Sequence, residues 1–265
     1  FFPSVEASDS DVFSLLPETA GRLAQLVGTY RLTRRPQTTL GRMAELMGTV
    51  DVRQDRNAGR LVVVDPIEGP RRWVETEPWV FQEWRGDERL AFLPDHESGR
   101  IVGYLDDIPV IGFEKLRWYE TPSFHLTLLL GSALVLLSAL VFPLLSIFVA
   151  RPRTEIIARR DPAHPAARWL AGFSSLVYLA FLAGFAYLLR DPTRIVYGIP
   201  AGLDYLLVLP LIGGASTVIL FLVGILAWKG GYWGFLARVH FTLVTLAALA
   251  ILWQLNYWNL LGWSY

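Results

Sequence analysis

Four stretches of this 265-residue chain contain no Asp, Glu, Lys or Arg: 121–150, 169–189, 205–228 and 239–265, with lengths of 30, 21, 24 and 27 residues. A helix rises 1.5 Å per residue, so about 20 apolar residues cross the hydrocarbon core of a bilayer. Segments such as Leu126–Phe148 and Leu206–Trp228 are apolar on every face, whereas a soluble amphipathic helix shows a polar stripe. As buried core helices the four would need a soluble shell that the remaining residues cannot supply. The expectation is four transmembrane helices at about 124–148, 169–189, 205–228 and 238–258.

Charge divides the chain the same way. Lys+Arg and Asp+Glu both number 24, but residues 1–120 carry 15 basic and 20 acidic side chains, whereas 121–265 carry 9 and 4. The zero net charge is therefore a sum of unlike halves and says nothing about partners. The loop between the first two spans holds Arg151, Arg153, Arg159, Arg160 and Arg168, and the third-to-fourth loop holds Lys229 and Arg238. Opposite them stand only Arg190 and Arg194. The positive-inside rule puts the first set in the cytoplasm and residues 1–120 and the C-terminal tail outside. Trp118, Tyr119, Tyr257, Trp258 and Trp263 would mark the outer interface, and Trp169, Trp228 and Trp233 the inner one.

Residues 1–120 alternate short strand-like runs with Gly/Asp/Asn turns. The runs are 28–34, 49–53, 60–65, 72–75, 79–84, 88–93, 100–105 and 110–118, with helical spacing at 18–26 and 39–47. Seven or eight strands in about 95 residues fit a small barrel of the lipocalin sort, which holds one apolar ligand or is filled by its own side chains. Trp73, Trp79, Phe81, Trp84 and Phe92 are the candidates for lining such a pocket or packing such a core. The expected fold class is an α+β membrane protein, a lipocalin-like antiparallel barrel at 24–120 followed by a four-helix transmembrane bundle at 121–265. Residues 1–23, opening Phe1-Phe2-Pro3 without an initiator Met, read as a lead-in from a missing upstream domain.

Chemistry is sparse. There is no cysteine, hence no thiol nucleophile, disulfide or Cys-ligated metal. His96, His125, His164 and His240 are scattered, so no metal site is expected, and no glycine-rich phosphate loop or Gly-x-Ser-x-Gly elbow occurs. Basic residues are not interleaved with aromatics, so a nucleic-acid partner is not expected. Asp204, His125 and His240 are the ionisable groups within or beside the spans, at depths that suit interfacial anchoring; a transporter needs charges or broken helices near the midplane. Pro143, Pro210 and Gly213-Gly214 are the kink candidates, and Ala180 with Gly184 forms a small-xxx-small pair.

Four segments, in order, carry a resemblance: Leu26-Val-Gly-Thr-Tyr-Arg-Leu-Thr-Arg-Arg, Thr38-Thr-Leu, Phe113-Glu-Lys-Leu-Arg-Trp-Tyr-Glu-Thr-Pro and Leu255-Asn-Tyr-Trp-Asn-Leu-Leu-Gly262. Together they resemble the part of bacterial serine hydrolases of the β-lactamase and penicillin-binding-protein-like superfamily that follows the catalytic domain. The resemblance implies a lipocalin-like β domain outside the bacterial inner membrane, anchored by C-terminal helices and partnered by a catalytic domain upstream in the same polypeptide. It implies a parent acting on peptide, ester or β-lactam-type amide bonds, and no cofactor. The family's catalysis needs Ser-x-x-Lys, Tyr-x-Asn and a Lys-Thr-Gly-like motif. This chain has no Ser-x-x-Lys. Tyr257-Trp-Asn259 and Lys229-Gly-Gly231 match the other two only loosely and in reversed order, so no catalytic role transfers to any residue. The alternative reading is a stand-alone membrane-anchored binding protein for an apolar or cell-wall ligand.

Overall fold

The computed structural model describes residues 19–46, 48–55, 60–66, 68–106, 111–148, 163–190 and 202–263. The chain divides into two compact units, one formed by residues 1–37 and 41–121, the other by 38–40 and 122–265.

The first unit is a closed antiparallel barrel of eight strands, each hydrogen-bonded to its neighbours in sequence, with the last returning to the first. The strands are β1 (Gly28–Leu32), β2 (Thr49–Gln54), β3 (Leu61–Asp65), β4 (Gly69–Glu77), β5 (Val80–Glu83), β6 (Arg89–Pro94), β7 (Ile101–Leu105) and β8 (Gly112–Lys115). Closure removes every exposed edge. The turns are those that polar chemistry favours. In the β6–β7 turn Asp95 accepts from the backbone N–H and the hydroxyl of Ser98, and Gly99 supplies the left-handed φ of 65°. Between β7 and β8 the backbones approach so closely that a Cβ on Gly103 would lie 2.1 Å from the Phe113 carbonyl oxygen, which requires glycine.

Strand alternation sends one set of side chains inward. Tyr30, Val50, Val52, Leu61, Val63, Trp73, Phe81, Leu90, Phe92, Ile101 and Tyr104 form one buried cluster. Leu23 and Leu26 join the same cluster from helix α1 (Thr19–Leu26). The helix thus belongs to the barrel, and the boundary expected at residue 23 falls inside it. The spacing of Leu23 and Leu26 puts both on one helical face; that face had no visible destination in the sequence. The helical spacing read over 39–47 resolves as a 3-10 helix at Leu40–Leu46.

The second unit contains helices α2 (Pro122–Phe148), α3 (Ala163–Leu188), the single turn α4 (Leu203–Leu206), α5 (Val208–Lys229) and α6 (Phe235–Tyr257). Four segments within them, Pro122–Phe142, Pro165–Leu188, Leu203–Lys229 and Phe235–Tyr257, are long and apolar enough to cross a membrane. The helices pack as a ring, α2 against α3 and α6, and α5 against α3 and α6. The expected kink at Pro210 takes a definite form. The helix is interrupted at Leu207, and Pro210 falls in the first turn of α5, where no intrahelical partner for its missing N–H is required. α3 begins six residues before the expected start at 169, because a charge such as Arg168 ends a span without ending a helix. Of the expected cytoplasmic arginines, 151, 153, 159 and 160 lie outside the described residues, as do His164's side chain, residues 1–18 and Arg194.

Candidate functional site

The barrel interior is occupied by its own side chains. Trp73 and Phe81 are fully buried and Phe92 is 2% exposed. Phe92 makes edge contacts with Tyr30 and Phe81 at centroid separations of 6.0 and 5.4 Å, and Tyr104 stacks on Phe113 at 4.6 Å. Three of the five aromatic candidates thus fill the barrel. Trp79 packs against this core from the β4–β5 turn, with φ of 70°. Trp84 leaves it altogether. The Arg60 guanidinium lies 3.3 Å over its ring, and Trp84 borders an outer surface hollow beside Arg71, Arg72 and Arg85.

One end of the barrel is closed by α1. Glu75, inside the mouth with a fully buried side chain, accepts two bonds from Arg22 at 2.8 and 3.0 Å. It also accepts from the Trp79 backbone N–H at 3.2 Å, which holds that residue in its left-handed conformation. The last carbonyls of α1 are satisfied from within the barrel. The Tyr30 hydroxyl donates to Leu26 at 2.6 Å, and the Lys115 ammonium donates to Gln25 at 2.6 Å. Burial pushes the Tyr30 phenol above its ordinary range, so it remains a donor throughout physiological pH.

A second charged cluster surrounds Arg31, which is only 8% exposed. Its guanidinium reaches Glu114 at 2.6 Å, Glu45 at 3.2 Å and Glu120 at 3.3 Å. Arg35 bridges the same Glu45 and Glu114 at 2.7 Å each. Burial raises the Glu114 carboxyl, but the hydrogen bond and charge of Arg31, with those of Arg35, hold it below its ordinary range. Arg42 stands 3.7 Å from Glu45 as a third cation, so three arginines meet three carboxylates and tie β1, β8, the 3-10 helix at Leu40–Leu46 and a short one at Trp118–Glu120 together.

The helical unit brings together groups that no local motif announced. Ser138 of α2 and His240 of α6, 102 residues apart, meet at 2.9 Å. Ser138 also donates to the Val135 carbonyl at 2.6 Å. Its single hydrogen is thereby committed, and His240 Nε2 must be the donor in the Ser–His contact. A nucleophilic serine needs the reverse, a histidine that accepts its proton. This pair is therefore a structural hydrogen bond between helices. It borders a cavity of about 230 Å³ between α2, α3 and α6. Ala139, Ala167, Ala171 and Ala237 form much of the wall, and their short side chains leave the space. Arg168, His240 and Trp233 supply its polar groups.

The other sequence candidates stand elsewhere. His125 is buried at the start of α2, parallel to the Trp253 ring at 5.5 Å and close to Tyr257 and Trp258, while its carbonyl accepts from Gln254 at 2.7 Å. Asp204 lies in the single turn α4. Of the two loose motif matches, Lys229-Gly-Gly231 ends α5 and Tyr257-Trp-Asn259 ends α6, whose 23 residues span about 35 Å and separate them. Among the described residues no group of three or more His, Asp and Glu side chains is placed to hold a metal. No family model matches the chain, and neither a curated protein nor a solved structure matches it.

Proposed function

We propose that this chain is the non-catalytic, membrane-anchoring region of a serine hydrolase of the β-lactamase-like superfamily, whose β domain supports a catalytic domain upstream in the same polypeptide. The observation that carries the reading is the buried side-chain cluster inside the barrel. With Tyr30, Trp73, Phe81, Phe92 and Tyr104 filling the axis and α1 closing one end, the barrel has its outer surface left to act with. That favours a bracing module over the alternative of a carrier with an apolar ligand inside. The clamp on α1 suits the role, since an upstream domain would join a helix held by the Arg22–Glu75 pair and by Leu23 and Leu26. On this reading the four helices fix the barrel to the outer side of the bacterial inner membrane.

The test is activity-based labelling of the parent protein with a fluorophosphonate or β-lactam probe, beside this chain alone. The reading predicts labelling of the parent at an upstream Ser-x-x-Lys serine and none of residues 1–265. Labelling within this chain, or an upstream region without Ser-x-x-Lys, would overturn it.

A further inference from the structure

The α2–α3–α6 cavity is asymmetric in its chemistry. Among the described residues Arg168 is its formal cation and no carboxylate lines it; His240 and Trp233 add the other polar groups to an otherwise apolar wall, with Phe142 standing 56% exposed at the rim. Its volume of about 230 Å³ is below the roughly 300–1,000 Å³ of a pocket that encloses a whole small molecule. It suits one part of a longer amphiphile whose remainder lies outside the bundle. Its place is the end of the bundle where α2 finishes and α3 and α6 begin, the end to which the chain's arginine-rich 151–168 segment belongs by sequence. A basic pocket between spans at the cytoplasmic side is the arrangement that receives anionic lipid headgroups.

We propose that this cavity seats one anionic phospholipid, its phosphate at Arg168 beside His240 and the start of one acyl chain against Phe142, Ala171 and Val244. The guanidinium offers paired donors to phosphate oxygens, and the alanine-lined wall replaces water around the first methylenes. The Ser138–His240 bond braces the α2 and α6 walls at this spot, so the pocket is held open by a fixed contact rather than formed on demand. This site is independent of the role of the barrel and of any catalytic domain.

The experiment is native mass spectrometry of the full chain in detergent with added phosphatidylglycerol, phosphatidylcholine or inorganic phosphate. One phosphatidylglycerol per chain should be retained preferentially over phosphatidylcholine. Arg168→Gln should lower that retention about fivefold, as expected for one basic contact at a membrane surface, while Arg168→Lys keeps most of it. Arg190→Gln, at the other end of α3, should leave it unchanged, which separates a defined site from general charge attraction. Ala171→Met, which fills the wall, should reduce retention with Arg168 intact. Equal retention of both lipids, an unaffected Arg168→Gln variant, or saturation of the site by inorganic phosphate alone would overturn the proposal.

Discussion

Large aromatic rings, Tyr30, Trp73, Phe81, Phe92 and Tyr104, fill the barrel, whereas the seam between α3 and α5 is made of Ser174, Tyr178, Gly213, Ser216 and Thr217. In the barrel, water expels the apolar side chains, and the polar groups that must follow are matched as ions: Arg22 with Glu75, and Arg31, Arg35 and Arg42 with three carboxylates. Between apolar helices in lipid that driving force is missing, and close packing with interhelical hydrogen bonds takes its place. Ser174 meets Ser216 at 2.9 Å and Tyr178 meets Thr217 at 2.8 Å, while both α5 hydroxyls also donate to the Gly213 carbonyl. Within the 18-residue window that qualifies each candidate span, only 22 to 33% of the residues are buried in the protein. One chain thus solves burial twice, with opposite residue types.

The sharpest way to break the contrast is to empty the barrel. Trp73→Ala removes a fully buried ring from the centre of the cluster and should cost about 3–5 kcal/mol, read as loss of hydrogen-exchange protection in β1–β8 with α2–α6 unaffected. Arg22→Met should cost a comparable amount, about 3–5 kcal/mol, because it strands the Glu75 carboxylate in the barrel mouth. Replacing both residues by methionine should recover most of that loss, which distinguishes a stranded charge from lost packing. In the helical unit the effects are smaller. A Cβ on Gly213 would lie 2.8 Å from the Tyr178 ring, so Gly213→Ala should destabilise the α3–α5 pair by about 1–3 kcal/mol in a detergent-denaturation series. Tyr178→Phe, losing one interhelical hydrogen bond, should cost about 0.6 kcal/mol in the same assay.

The smallest effect is one of pH. The Glu114 carboxyl is held below its ordinary value of 4.5 in the folded barrel, so its contribution is complete above that value and is lost as pH falls through the lower, folded one. Glu114 is partly exposed, and solvent screening keeps the contribution modest. The barrel's thermal midpoint should therefore decline on acidification below about pH 4.5, and Glu114→Gln should flatten that decline.

The two regions were also unequally legible from the residues. Turn chemistry marks three of the connections; Asp55-Arg-Asn-Ala-Gly59, Arg85-Gly86-Asp87 and Asp95-His-Glu-Ser-Gly99 bracket strands that the structure places within a few residues of the expected ends. The spans are legible because one physical rule, exclusion of charge from hydrocarbon, acts on each residue separately. What stayed hidden depends on pairs far apart in the chain. Arg31 reads as an outward strand residue, and nothing local says that Glu45, Glu114 and Glu120 will enclose it. Ser138 is one serine in an apolar helix until α6 delivers His240 to it. The cavity is harder still, since it consists of what four alanines do not fill.

The central claim, a barrel held on one side of a membrane by four crossings, is open to a clean measurement because the chain has no cysteine. Single cysteines at Glu97 in the β6–β7 turn, Gly234 before α6 and Trp263 after it are each exposed, and a Cβ at Gly234 meets nothing within 4 Å. In intact cells an impermeant maleimide should label Glu97→Cys and Trp263→Cys, and should reach Gly234→Cys only after the membrane is opened. Labelling of Glu97→Cys and Gly234→Cys from the same side, or protection of Glu97→Cys until permeabilisation, would contradict the account.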